Sequence, residues 1–176
     1  MILIMSWHSL FDGAPTRRLA LGAALFRRDD LVERVYVVND GRVELERSLP
    51  NGEGLVLARA EAGTMLAEAS LFAERYHCDA VARRSSVVAS LDRAKFLEQL
   101  RRHPDLALGL LADASGEVQR QRARIEILRL KRVTDRLDAW LTLYDPPGPG
   151  GWIDVAEAIG ITPSALYREL AKRRRR

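Results

Sequence analysis

At 176 residues, 47% hydrophobic and 30% charged, the chain has the composition of a soluble globular protein and room for one ordinary domain or two small ones. The apolar start Met1–Met5 is broken at once by Ser6, Trp7, His8 and Ser9. It is too short to span a membrane and lacks a charged leader or cleavage site, so no membrane partner and a cytoplasmic location are expected. Cys78 is the only cysteine, which excludes an intrachain disulfide and fits a reducing compartment.

The formal charge of +4 is unevenly spread. Residues 117–136 carry seven basic and three acidic side chains and residues 151–176 six and three, which leaves −3 for the rest. A basic end on a slightly acidic body suits contact with a polyanion; a solvated helix face followed by a basic tail would give the same balance.

Between Leu19 and Leu91 the pattern has a period of two, with Val35 and Val37, Val43 and Leu45, and Leu55 and Leu57 alternating along candidate antiparallel strands. Asn39-Asp40-Gly41 and Pro50-Asn51-Gly52 separate these runs, and such pairs tolerate the positive φ angles of tight hairpins. Regular short strands with frequent turns predict a sandwich or barrel.

The period then becomes helical. A short helix is predicted from Arg93 to Arg101, followed by a long one from about Pro104, a residue suited to a first turn, to Tyr144. Leu111, Ala114, Val118, Gln121, Ile125, Leu128 and Arg132 follow the 4,3 spacing of a two-stranded coiled coil. Packing against the chain's own strands would also occupy that face. A helix of about forty residues outruns one small domain, however, and dimerisation is the expectation. Pro146-Pro147-Gly148-Pro149-Gly150-Gly151 cannot be helical and marks a joint.

Beyond the joint, a short helix carrying Val155, Ala156 and Ile159 is followed by a turn at Gly160 and a second helix. Thr162 is placed to cap that helix and Pro163 to begin it. At 100° per residue Leu166 and Leu170 point one way and Ser164, Tyr167, Arg168 and Ala171 the other. A hydroxyl, a phenol and a guanidinium on one face can reach base edges or phosphates in a major groove, with Arg168 the first candidate base reader. Lys172 and Arg173 to Arg176 would extend the contact to phosphates. A plain helical hairpin with a basic surface is the competing reading.

Taken together these segments resemble the Crp/Fnr family of cyclic-nucleotide-receptor-like regulators from about Leu21 onward. GAALFRRDD is similar to the opening G-x-x-L-F-x-x-G-D of the family's sensor roll, with Asp29 where glycine is usual. VYVVNDGRVEL resembles its hairpin, AEASLF its phosphate cassette, RAKFLEQLRRHPDLALGLL the approach to its dimer helix, and VTDRLDAWL the end of that helix. The resemblance implies an α+β chain: a jelly-roll sensor over residues 1–103, a dimerisation helix and hinge over 104–145, and a helix-turn-helix over 146–176. It further implies a sequence-specific, dimeric transcription regulator, not an enzyme, whose partners are DNA, a second copy of itself, RNA polymerase and a small-molecule effector. A sensor of the same fold that acts through protein contacts without DNA is the alternative.

The resemblance weakens where the effector would sit. Glu68 matches the carboxylate that holds the ribose hydroxyl in nucleotide-binding members, but Ala67 replaces the glycine before it. Cys78 and Asp79 match the phosphate-binding Arg-Ser pair, and Asp79 would repel a cyclic phosphate. Gln121 and Arg122 stand at the two hydroxyl positions that meet adenine in the cyclic-AMP receptor, and Ser70 completes the pocket candidates. Cyclic AMP in the usual manner is not expected, Arg122 offers a displaced anion contact, and the effector stays unidentified. His77 and Cys78 are haem and metal ligand types, but neighbours on a strand face opposite ways, so no haem or metal site is expected from them. The family usually continues into a β-hairpin wing, whereas this sequence ends at Arg176. Either the arginine tail replaces the wing's phosphate contacts or DNA affinity is reduced.

Overall fold

The computed structural model describes residues 6–52 and 54–174; the apolar start Met1–Met5 and the last two arginines, Arg175 and Arg176, lie outside them. The division into two compact units falls between Leu111 and Ala112.

The first unit is an antiparallel jelly roll. Its strands are β1 (Thr16–Leu19), β2 (Ala24–Phe26), β3 (Arg34–Asp40), β4 (Arg42–Ser48), β5 (Gly54–Glu61), β6 (Met65–Leu66), β7 (Asp79–Ala82) and β8 (Ser86–Asp92). They form two four-stranded sheets, ordered β1-β8-β3-β6 and β2-β7-β4-β5. Leu19, Phe26, Val38, Val43, Leu45, Leu66, Ala80 and Val88 fill the space between the sheets. Strand β3 is covered on both faces, because Val35 and Val37 join Trp7, Phe11, Met65 and Phe96 in a second cluster. Phe96 belongs to helix α1 (Arg93–Arg102), which starts where the Asp92 carboxylate accepts from the Lys95 amide at 3.0 Å.

Two sequence expectations change here. Asn39-Asp40-Gly41 is not a hairpin turn, since β3 and β4 belong to different sheets and the segment is a corner between them. Gly41 has φ +90°, and a Cβ there would lie 2.3 Å from Ser86 Oγ and 2.4 Å from the Ser85 carbonyl, so the corner demands glycine for space as well as conformation. Asn51-Gly52 does lie in a true hairpin, that of β4 and β5. Leu55 and Leu57 are exposed: β5 is an edge strand, and only Ala60 on it is fully buried.

Helix α2 (Pro104–Arg129) begins in the first unit and ends in the second, which continues with α3 (Val133–Leu143), α4 (Trp152–Ala158) and α5 (Pro163–Arg173). The single helix expected from Pro104 to Tyr144 is therefore two. It stops because Leu128 and Leu130 give their carbonyls to the Arg136 guanidinium and Arg132 is extended, with φ −94° and ψ 141°. The Pro-Gly joint connects helices without isolating the last two. Ile127 of α2 and Leu137 of α3 share one core with Val155, Ala156, Ile159 and Leu166. No helix among the described residues is long and apolar enough to cross a membrane.

Candidate nucleic-acid interface and sensor pocket

The turn between α4 and α5 closes at Gly160, whose φ of +66° is left-handed. Thr162 Oγ1 then accepts from the Ala165 amide at 3.3 Å and contacts Ser164 Oγ at 3.1 Å, and Pro163 opens α5, as its sequence predicts. Leu166 is fully buried against α3 and α4, and Leu170 packs at the margin of the same core. That fixes the rotation of the helix. Thr162, Ser164, Tyr167, Arg168, Ala171 and Lys172 all face solvent, with Tyr167 47% exposed. The side chains expected to share an outer face do share it.

Arg173 does not join them. Its guanidinium donates to Asp138 Oδ1 at 2.6 Å, to the Thr134 carbonyl at 3.2 Å and to Glu169 Oε1 at 3.3 Å, which ties α5 to α3. An arginine engaged on three acceptors is a structural strut, whereas Lys172 and Arg174 on either side of it are exposed.

In the roll, β6 runs into Ala67, whose φ of 73° and ψ of 10° place an alanine in left-handed backbone. This is the position where the family's glycine is replaced, and the conformation is kept despite the methyl. Asp29, at the other glycine position, likewise has φ 69°. Glu68 and Ser70 follow in a 3₁₀ turn, Glu68 exposed and Ser70 buried, with Ser70 Oγ 3.0 Å from His77 Nδ1. His77 and Cys78 lie in the bend just before β7, not on a strand as expected, with His77 facing out and Cys78 buried between the sheets.

Asp79 has work of its own in the fold. Its Oδ1 accepts from the Arg28 amide at 2.7 Å and its Oδ2 lies 3.6 Å from the Arg27 guanidinium, so it tethers the loop after β2. Burial pushes the Cys78 thiol up to about 11; the Asp79 and Glu68 carboxylates add to the rise and Arg47 opposes it. Deeper in the roll Tyr76 stacks on Phe26 at 3.8 Å and donates to the Arg34 carbonyl at 2.7 Å. Its phenol is raised by burial and then by Tyr36.

Gln121 and Arg122 both lie on the exposed surface of α2 within the second unit, Gln121 donating to Glu117 Oε1 at 2.6 Å. The structure exposes Thr162, Ser164, Tyr167, Arg168 and Lys172 together at α5 and, in the roll, places Glu68, Ser70, Cys78 and Asp79 along one stretch of chain. Sequence reasoning missed Arg136. It reads as one more cation in a basic segment, and only its acceptors reveal its role.

Two sheets rolled over a cassette-like turn, followed by a long helix and a capped helix pair, define a cyclic-nucleotide-type sensor roll joined to a helical head. The family model for the cyclic nucleotide-binding domain matches residues 16–103. The chain belongs to that family, and the order of its parts is that of the Crp/Fnr-type transcription regulators. The global nitrogen regulator of Synechocystis is 28% identical over 163 residues, covering 83% of this chain and 72% of its own. The sensor domain of the transcriptional regulator DNR from Pseudomonas aeruginosa is 26% identical, with a TM-score of 0.55 over 70% of this chain and 81% of that one. FixK2 from Bradyrhizobium japonicum shares the fold at 20% identity and a TM-score of 0.66, covering 90% and 83%.

Proposed function

We propose that the chain is a dimeric, sequence-specific DNA-binding regulator that reads its operator with α5. The observation that carries this reading is the division of α5 into a packed side and an outer side. Ser164, Tyr167, Arg168 and Lys172 are all exposed there, and neither Arg168 nor Lys172 is drawn into the ion pairs that engage Arg173 and Arg132. Arg168 is the base reader, able to donate two parallel hydrogen bonds to a guanine edge, and Lys172 contacts phosphate. A second copy packs along α2, where Leu111, Val118 and Ile125 are 60%, 49% and 51% exposed at coiled-coil spacing.

The effector reading follows the roll. With Asp79 committed to the Arg27–Arg28 loop and Cys78 standing where the family's arginine would, the pair that would hold a cyclic phosphate is replaced by a buried thiol and a carboxylate. The regulator therefore responds to a different ligand or to none, and cyclic AMP in the standard mode is excluded from the proposal.

Selection of bound sequences from a random duplex pool, with and without cyclic nucleotides, tests the whole reading. A twofold-symmetric consensus is expected, unchanged by cyclic AMP. Arg168→Ala should weaken binding by about 1–3 kcal/mol per half-site and relax the preference at one base pair. Absence of any bound duplex at low salt would leave the protein-contact sensor as the better reading.

A further inference from the structure

Every helix leaves its last four carbonyls without partners inside the helix, and those carbonyls are the negative end of its dipole. In the second unit two such ends meet at one side chain. Arg136, on the first turn of α3, donates from Nε to the Leu130 carbonyl at 2.7 Å and from Nη2 to the Leu128 carbonyl at 3.1 Å, both at the end of α2. Its Nη1 donates to the Ile159 carbonyl at 3.1 Å and the Gly160 carbonyl at 3.2 Å, both at the turn between α4 and α5. One guanidinium thus closes the ends of two helices that are some thirty residues apart in sequence.

The packing around it is tight on the same side. A Cβ at Gly160 would fall 2.6 Å from Leu128 Cδ2 and 3.4 Å from Arg136 Nη1, so the turn lies directly against α2 and its guanidinium. Beyond the turn, Arg173 braces α5 to α3 through Asp138 and Thr134. A continuous set of fixed contacts therefore runs from the end of α2, through Arg136, to both ends of α5.

We propose that Arg136 is a positioning residue for DNA recognition, a clamp that sets the angle at which each α5 is held on α2 and hence the spacing of the two half-sites the dimer accepts. The inference rests on the regulator reading above. The planar fork of arginine suits four carbonyls arranged around it, whereas a lysine ammonium is a single point that can reach only part of the set. Loss of the clamp leaves α5 its own capped start and buried Leu166, so one head still reads one half-site. What is lost is the fixed relation between α5 and the helix that joins the two copies.

The test uses the full chain with Arg136→Gln and Arg136→Lys, and duplexes holding two consensus half-sites at the selected separation, at one base pair more, at one fewer, or a single half-site. Because half-site spacing mirrors the geometry of the dimer, the wild type should prefer the selected spacing by about tenfold or more. Arg136→Gln should reduce that preference to about threefold or less while single half-site affinity changes by less than about threefold. Fluorine NMR with 5-fluorotryptophan gives an internal control: Trp140 and Trp152 lie in the head and Trp7 in the roll. Their resonances show whether the head stays folded; should Arg136→Gln unfold it, Arg136→Lys carries the same comparison. Retention of the wild-type spacing preference overturns the clamp, and so does an equal loss on every duplex by a folded variant, which marks a merely structural arginine. A wild type that binds no duplex defeats the regulator reading first, and that result is distinct from either of these.

Discussion

At the scale of single residues, the most strained position is Ala67. Left-handed backbone brings an L-residue's Cβ against its carbonyl at a cost of about 1–2 kcal/mol, which glycine avoids. Ala67 holds φ 73° all the same, because Ser70 donates its amide to the Ala67 carbonyl at 3.0 Å and the turn must lead Glu68 away from β6. Ala67→Gly should therefore stabilise the roll by about 1 kcal/mol, after allowing for the greater freedom of glycine in the unfolded chain. A higher urea midpoint at unchanged slope would show it. A lower midpoint would mean that the buried methyl contributes more than the strain removes. Asp29 bears its φ of 69° more readily, since aspartate visits this region more often than alanine. The sequence shows both missing glycines but says nothing of whether the backbone relaxes without them. The same holds for Asp79, which reads as a mismatch to a phosphate site until its bonds to Arg27 and Arg28 give it a role.

At the scale of elements, α2 carries an exposed apolar row. Leu111, Val118, Ile125 and Leu128 are spaced to meet a second helix, and Gln121 breaks the apolar row in the manner of a register-setting polar residue. Replacing Val118 and Ile125 together by lysine should halve the mass measured by sedimentation equilibrium, with little change in the circular dichroism of the roll. A variant that stays dimeric would place the dimer interface elsewhere. The exposed apolar row was legible in the sequence; the end of the helix was not. Leu130, Lys131 and Arg132 are all good helix formers, and the break at that point depends on a tertiary contact from Arg136, to which a local pattern is blind. The corner at Gly41 failed to show for a related reason. Asp-Gly permits a positive φ in a hairpin and in a crossover between sheets alike, and only strand pairing separates the two.

For the whole molecule, charge divides as the fold does. Residues 112–176 hold 13 basic and 9 acidic side chains, so the entire net charge of +4 belongs to the second unit and the first is neutral. The excess was legible from the sequence. Which cations are free was not, because ion pairing is a tertiary property. Arg120, Arg129 and Arg132 each pair with a carboxylate three residues away, Arg136 is surrounded by carbonyls, and Arg173 is braced on Asp138 and Glu169. On α5 the distinction between Lys172 and Arg173, adjacent and alike in charge, becomes a measurable one. Each phosphate neutralised lowers the slope of log K against log salt by about 0.9, so Lys172→Ala, removing one contact per protomer, should make the slope of a dimer shallower by about 2. Arg173→Ala should leave the slope nearly unchanged and instead lower the melting temperature of the head, because it removes the brace between α5 and α3. Titrations from 50 to 200 mM salt resolve the two effects. If Arg173→Ala flattens the slope as much as Lys172→Ala does, the brace opens on binding and its guanidinium transfers from Asp138 to phosphate.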